Sequence, residues 1–226
     1  SAASDVYKRQ GICYRRSVQI ENSEIKVWRT PEKYGIITVS IFRRFFMEAI
    51  ECIKTRRSIR KYEDKPVDRS LIEEIIEIAR FAPSWKNSQS VRYIAIYDND
   101  IKNKIAGECI MGHEGNKNNI QGAPVLMVEL TVNKRAGYER DGSYSTSKKD
   151  HWQSFDAGMA AQVFCLAAHE KGLGTVVMGI YDEEKVKEVL GIGEDKSVSA
   201  LIALGYPADA PAAPKRKEVA DLLTFM

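Results

Sequence analysis

Histidine and cysteine are scarce in this chain, which has three histidines and four cysteines among its 226 residues. The three histidines, His113, His151 and His169, lack the spacing of metal ligands, so we expect no metal site. The cysteines are far apart and form no Cys-x-x-Cys pair, a pattern typical of reduced thiols in a cytoplasmic protein. The sequence therefore predicts a cytoplasmic protein that depends on neither a metal nor disulfides.

The chain also lacks the patterns of membrane spans, dinucleotide-binding folds and serine hydrolases. Arg43 and Arg44 interrupt the most apolar early stretch, and no run reaches the roughly 20 apolar residues that cross a bilayer, so we expect no membrane protein. The glycines at 172–174 and 191–193 do not form Gly-x-Gly-x-x-Gly between a strand and a helix, which excludes a Rossmann cofactor site. No Gly-x-Ser-x-Gly elbow occurs either.

The net charge of +3 does not indicate a nucleic-acid partner once its location is considered. Residues 1–46 hold nine basic and four acidic side chains, a balance of +5, whereas residues 47–226 hold 25 and 27, a balance of −2. A polyanion would need a basic face on the folded domain. We therefore expect no nucleic-acid partner.

The sequence changes character at Met47. Residues 1–46 show no sustained helical or alternating period, and their opening SAASDVYKRQ looks like an artificial leader. We interpret residues 1–46 as a leader that is non-native or disordered, and residues 47–226 as one domain. The alternative is a genuine arm that docks on a partner subunit.

From Met47 onward the patterns predict helix, helix, strand, helix, strand, helix, short strand, helix, strand and a tail. The clearest segments are a helix capped by Asp68 and ended by Pro83, strands at 93–97, 125–132 and 197–204, a helix at 155–169 closed by Gly172, and a helix from Asp182 through Leu190. Because the order shows no regular βαβ alternation, the fold class is predicted to be α+β.

The first polar cluster comprises Arg56, Arg57, Ser58 and Arg60 and follows the first helix. Arginine presents a planar fork of donors that matches a phosphate, so the cluster could clamp one. The alternative is a solvated basic turn at a helix C-terminus, where positive charge is favoured in any case.

The second polar cluster lies on the connection from the second helix to the first strand of the domain. It contains Pro83, Ser84, Trp85, Asn87 and Gln89. Its amide and hydroxyl groups could hydrogen-bond a heterocycle such as a flavin, and the indole could cover a ring. The alternative is an ordinary polar connection, because loops are polar as a rule.

A third cluster, Lys215, Arg216 and Lys217, lies in the C-terminal tail. Three adjacent cations suit a phosphate, but a basic tail is commonly just solvated.

Each cluster alone is a weak signal, but their order is specific. The runs TRRSIRKY, APSWKNSQ, GAPVLMV, SFDAGMAAQVFCLAAHEKGLGT, MGIYDEEKV and ALGYP, followed by the basic tail, resemble the nitroreductase family along nearly all of residues 47–226. The resemblance implies a mixed, mainly antiparallel sheet flanked by helices. It also implies a homodimer whose C-terminal tail reaches the partner, with FMN bound between the subunits.

The resemblance assigns FMN-binding roles to all three clusters and to the start of the MGIYDEEKV run. One subunit is expected to contribute the Arg-x-Ser-x-Arg element, the partner the Pro-Ser loop, and the tail a phosphate contact. The expected cofactor residues are Arg56, Arg57, Ser58, Arg60, Pro83, Ser84, Trp85, Asn87, Gln89, Met178, Gly179, Lys215, Arg216 and Lys217. The sequence departs from many members at Trp85, where they have serine, and near Asn118, where they have lysine.

The function that the resemblance implies is an FMN-dependent oxidoreductase. It would take electrons from NADH or NADPH and reduce nitroaromatics, quinones or similar small electron-poor acceptors. No catalytic side chain is expected, because the flavin itself accepts the hydride. The alternatives are a dedicated reductive dehalogenase or ring-cleaving enzyme on the same fold and a non-catalytic flavin-binding regulatory dimer.

Overall fold

A computed structural model of the chain describes residues 13–20, 23–29 and 47–226. The chain divides into two compact units, Ser1–Phe45 and Phe46–Met226. In the first unit, strands β1 (Cys13–Ile20) and β2 (Ser23–Arg29) pair antiparallel. The sequence predicts no regular element there. Strand formation depends on the neighbouring segment, which the periodicity of a single segment does not report. That residues 1–46 are a leader stays a prediction.

The second unit intermixes helices and strands. Its helices are α1 (Ala49–Thr55), α2 (Arg69–Ala79), α3 (Asn99–Glu108), α4 (Glu114–Gly122), α5 (His151–Glu170) and α6 (Glu183–Leu190). Its strands are β3 (Val91–Ile96), β4 (Val125–Val132), β5 (Gly174–Met178) and β6 (Lys196–Gly205). Short 3₁₀ turns lie at Trp85–Asn87 and Val219–Asp221. The predicted order of elements is confirmed, except that two helices replace the single helix predicted between β3 and β4.

The four strands of this unit form one antiparallel sheet in the order β3-β4-β6-β5. The prediction of an α+β fold with a mainly antiparallel sheet is therefore confirmed. The sheet is covered on both faces. One face packs against α3, α4 and α6 through Ile105, Ile120 and Val186, and the other packs against α2 and α5 through Ile75 and Phe164. None of the described helices is both long and apolar enough to cross a membrane.

Two helix boundaries differ from those predicted. Helix α2 ends at Ala79, with Arg80 as its C-cap, and so stops before Pro83. The residue before a proline is disfavoured in the helical region, so the helix could not have continued up to Pro83. Helix α5 begins at His151 rather than at Phe155. Gly172 does close α5, with a φ of 78°, so that part of the prediction is confirmed.

The break between α3 and α4 has a backbone cause. Met111 and Gly112 have φ angles of 53° and 75°, which no right-handed helix can contain. His113 then caps α4 by accepting a hydrogen bond from the Asn116 amide.

Candidate functional site

A cavity of about 290 Å³ joins the segment after α1 to the C-terminal tail. Its walls are formed by Arg56, Arg57, Ser58, Arg60, Pro211, Ala212, Pro214 and Arg216. The structure thus brings the whole first cluster together with one residue of the basic tail. Lys215 and Lys217 do not line this cavity.

The arginine segment is held against the edge strand β5. Ser58 pairs with Thr175 in a parallel bridge, and the amide of Ile59 donates to the Thr175 carbonyl at 2.9 Å. The Ile59 side chain is buried and packs so closely on Gly174 that a Cβ there would clash with its Cγ1. Because side chains alternate along an extended segment, burying Ile59 turns its neighbours Ser58 and Arg60 the other way. Gly174 therefore has a packing role.

The positive charge of this cavity is not neutralised within the described residues. None of the ion pairs found there involves Arg56, Arg57, Arg60 or Arg216. Arg57 instead donates to the carbonyls of Lys54 and Arg56 at 2.7 and 2.8 Å, which caps the end of α1. Guanidinium forks without a carboxylate partner fit a phosphate group.

His169 of α5 fixes the beginning of this segment. Its Nε2 lies 2.9 Å from the Thr55 hydroxyl, which donates its only proton to the Glu51 carbonyl at 2.7 Å. With the Thr55 proton given to this carbonyl, the tautomer of His169 that carries its proton on Nε2 completes the bond. Burial, and then the charges of Arg56 and Arg57, lower the pKa of His169 below its ordinary value.

The end of β5 lies beside α4. The Met178 side chain is buried in the core, so only its backbone could face a cofactor, whereas Gly179 and Ile180 are exposed. The Asn116 side-chain amide donates to the Ile180 carbonyl at 3.1 Å and holds this turn in place. This bond, which sequence reasoning missed, positions the backbone that the resemblance assigns to the flavin.

The second cluster forms a separate cavity of about 310 Å³ at the ends of α2 and β3. Pro83, Ser84 and Gln89 line it, whereas none of the loop residues 83–89 lines the arginine cavity. A single chain therefore does not bring the two clusters into one site. This separation agrees with the expectation that the loop serves the flavin of the partner subunit.

The loop at 84–89 has an unusual backbone. Lys86, Asn87 and Gln89 have φ angles of 44°, 54° and 46°, in the left-handed region that costs a residue other than glycine about 1–2 kcal/mol. Within the loop, the Ser84 hydroxyl accepts a hydrogen bond from the Gln89 amide at 3.0 Å. This single bond offsets only part of the backbone strain. Backbone strain of this kind persists where surrounding contacts impose it, and such places are commonly functional.

Asp156 of α5 imposes this conformation. Its carboxylate, 1% exposed, accepts the Trp85 amide at 3.0 and 2.9 Å and the Ser88 hydroxyl at 3.3 Å. Sequence reasoning missed this residue. The signal was one acidic residue within the small and apolar pattern of α5, at a position that points into the molecule.

The Trp85 indole belongs to an aromatic group on the same side of α5. Its ring centroid lies 4.6 Å from that of Trp152, which lies 5.4 Å from Phe155 in an edge-to-face arrangement. Lys86, next along the loop, forms an ion pair with Glu139 at 2.7 Å. The loop is therefore held at its exposed side by Glu139 of the β4–α5 connection and by Trp152 of the first turn of α5. Asp156 holds it at its buried side.

No metal centre appears in the part of the chain that the structure describes, where no group of three or more His, Cys, Asp or Glu side chains could hold an ion.

Comparisons with known proteins give consistent results. The model of the Nitroreductase family matches residues 53–206. The chain is 31% identical to a putative NADH dehydrogenase/NAD(P)H nitroreductase of Methanothermobacter thermautotrophicus, over 73% of this chain and 80% of that protein. It is 30% identical to the NAD(P)H-type FMN reductase of Bacillus subtilis, over 75% and 70%. A crystal structure of a nitroreductase family protein from Clostridium novyi NT superposes with a TM-score of 0.63 at 31% identity, over 74% of this chain and 89% of that one.

Proposed function

The chain belongs to the nitroreductase family and is an FMN-dependent NAD(P)H oxidoreductase, and we propose that its electron acceptors are nitroaromatics, quinones or similar electron-poor molecules. The observation that carries the FMN-dependent function is the cavity lined by Arg56, Arg60 and Arg216. The charges of these arginines have no carboxylate partner within the described residues. A phosphate is the group that this donor set fits.

The arginine cavity would hold the phosphate end of FMN. Arg56 and Arg216 supply forked donors, the Ser58 hydroxyl adds a further donor, and Arg60 is left for the polar edge of the flavin ring. Positive charge at that edge stabilises the reduced, anionic flavin electrostatically. The backbone at Met178 and Gly179 would border the ring. Lys215 and Lys217 stay predicted phosphate ligands, although they lie outside the cavity of the single chain.

The bound flavin supplies the redox chemistry by accepting hydride from NADH or NADPH. The overall reaction consumes one proton with each NAD(P)H and converts a quinone to a hydroquinone, or a nitro group to a nitroso group and water. The side chains of this protein bind and orient the reactants and exclude water. Neither cavity requires a protein acid or base for this chemistry.

A homodimer is part of the proposal. The loop residues would reach the flavin of the partner, because none of them lines the arginine cavity of their own chain and Pro83, Ser84 and Gln89 line a different one. The five predicted residues are Pro83, Ser84, Trp85, Asn87 and Gln89.

The C-terminal tail supports the same proposal. Val219, Leu222, Leu223 and Phe225 expose large apolar side chains, Phe225 to 88%. Apolar side chains at such density are stabilised by a second surface, and we propose that the partner subunit provides it.

A cytoplasmic location is likewise proposed. Cys52, Cys109 and Cys165 are buried and free of disulfides, which suits a reducing compartment.

The direct test is an absorbance spectrum of the purified protein followed by nicotinamide oxidation with a panel of acceptors. The proposal predicts a flavin spectrum and turnover of both nitroaromatics and quinones. Turnover of halogenated aromatics alone would favour a dedicated reductive dehalogenase, and bound flavin without any turnover would favour a regulatory dimer.

A further inference from the structure

Three rings in contact, Trp85, Trp152 and Phe155, form what we call the aromatic wall. Phe155 is 54% exposed, and both indoles are half-buried. The Trp85 indole N–H is shielded from solvent and has no acceptor among the described residues. A buried donor without a partner is uncommon in a native protein, and here it lies within the aromatic wall.

Two ammonium groups lie near the faces of the indoles. Lys148 Nζ is 5.1 Å from the Trp152 ring centroid, and Lys86 Nζ is 5.7 Å from that of Trp85. Lys86 is neutralised by Glu139, whereas none of the ion pairs within the described residues involves Lys148. Lys148 therefore has its charge available for a ligand.

The surroundings of the wall are basic. Residues 133–150, which join β4 to α5, hold five basic and three acidic side chains, a net charge of +2. Glu139 is paired with Lys86, whereas Asp141 accepts hydrogen bonds from the amide and hydroxyl of Ser143 and keeps its charge within this net balance. An anion that approaches the wall is therefore attracted.

We propose that the aromatic wall and Lys148 bind the electron acceptor, and that they select flat aromatic acceptors carrying a negative charge. This inference rests on the proposed function, because Trp85 connects the wall to the loop that would border the flavin. Aromatic faces favour a flat ring by stacking, and the ammonium group pairs with a carboxylate or sulfonate on that ring.

The test compares 4-nitrobenzoate with its neutral analogue 4-nitrobenzamide. For wild type, Lys148→Met and the control Lys104→Met, which changes an exposed lysine on α3, the ratio of kcat/KM for the anion to that for the amide is measured. Lys148→Met is expected to lower this ratio about 1.5- to fivefold, the range for an exposed charge pair. Lys104→Met should leave it unchanged. An unchanged ratio in Lys148→Met, or an equal fall in Lys104→Met, would overturn the proposal.

A binding measurement separates this inference from the proposed function. Benzoate and benzamide cannot be reduced, and their binding to the holoprotein is measured by equilibrium dialysis. Trp152→Leu should weaken both ligands, Trp152→Phe should restore binding of both, and Lys148→Met should weaken benzoate alone. If wild type turns over no acceptor, the proposed function fails. If it turns over both nitro compounds but these variants bind like wild type, only the acceptor wall fails.

Discussion

Arg56 and Arg60 lie on one short segment but are expected to act differently. If Arg56 binds the phosphate as proposed, Arg56→Ala removes a forked donor, and FMN binding should weaken by about 2–4 kcal/mol, given about 1.5–3 kcal/mol for each charged hydrogen bond of a one- or two-bond contact. The variant should purify with little flavin and regain activity when FMN is added. In Arg60→Ala the flavin should stay bound, while its reduction potential falls and turnover slows.

The matched control for both variants is Lys61→Ala. Lys61 is the next residue along the segment, but its ammonium group faces Asp209 at 3.9 Å. Flavin content by absorbance and potential by redox titration distinguish the three proteins. If both arginine variants keep wild-type flavin content, potential and rate, the cluster is only a solvated basic turn.

Glu129 is a second residue with a measurable effect. It lies at the centre of β4 and is 1% exposed, and its carboxylate accepts the Tyr93 hydroxyl at 3.3 Å. Burial raises its pKa to about 7. The folded protein therefore holds this proton at pH values where the unfolded chain has lost it, and stability falls as the pH rises from about 4.5 through 7. The loss should amount to about 3 kcal/mol.

Denaturant unfolding of wild type and Glu129→Gln from pH 5 to pH 8 tests this expectation. Glutamine keeps the shape and has no proton to lose, so the variant should lose less stability than wild type over this range. Glu73→Gln, an exposed change on α2, is the control. Identical pH profiles for wild type and Glu129→Gln would show that Glu129 does not titrate abnormally.

At the scale of elements, α5 positions the strained loop. Asp156→Ala removes the acceptor of the Trp85 amide and leaves Lys86, Asn87 and Gln89 without the bond that imposes their conformation. We expect the loop to relax, FMN affinity to fall about tenfold or more, and the melting temperature of flavin-free protein to fall as well, because the Trp85 amide and the Ser88 hydroxyl lose their acceptor. Asp156→Asn keeps one acceptor oxygen, so its FMN affinity and melting temperature should lie between those of wild type and Asp156→Ala.

Proteolysis at the loop provides the measurement, alongside FMN titration. Cleavage within residues 84–89 should accelerate in Asp156→Ala relative to wild type while the rest of the domain stays resistant. The account of α5 as the support of the loop is contradicted if cleavage and FMN affinity are unchanged.

The elements themselves could largely be predicted from the sequence, because apolar periodicity reports burial directly. The same patterns did not show the break at Met111 and Gly112, since a left-handed methionine leaves no compositional trace and a single glycine is tolerated within a helical pattern. Nor did they show that Asp156 supports the loop, because that role depends on a contact between residues far apart in the chain. The arginine cluster was recognisable, but its pairing with Arg216 required the path of the tail.

At the scale of the whole molecule, residues 1–46 are predicted to be dispensable. The periodic pattern and the family match both lie after them, the match covering residues 53–206. A chain that begins at Met47 should therefore fold, bind FMN and turn over acceptors like the full chain. Thermal unfolding, flavin content and activity of the two proteins are compared. Loss of flavin or solubility in the shorter chain would mean that the first unit is structural.

The central claim also concerns the whole molecule, because the flavin site is proposed to be built from two chains. The arginine cavity of one chain and the loop 83–89 of the other would enclose the same FMN. Two defective proteins make this claim testable. One carries Arg56→Ala in the arginine cavity, and the other carries both Asn87→Ala and Gln89→Ala in the loop.

The most direct measurement is FMN stoichiometry and acceptor turnover after the two defective proteins are unfolded, mixed in equal amounts and refolded together. FMN is supplied during refolding at a concentration that fills wild type but is too low to fill either variant alone. A site shared between chains then predicts that each mixed dimer contains one intact site, so flavin and activity return to about a quarter of wild type. If the mixture stays as colourless and inactive as its components, both clusters belong to one chain's site and the account is contradicted.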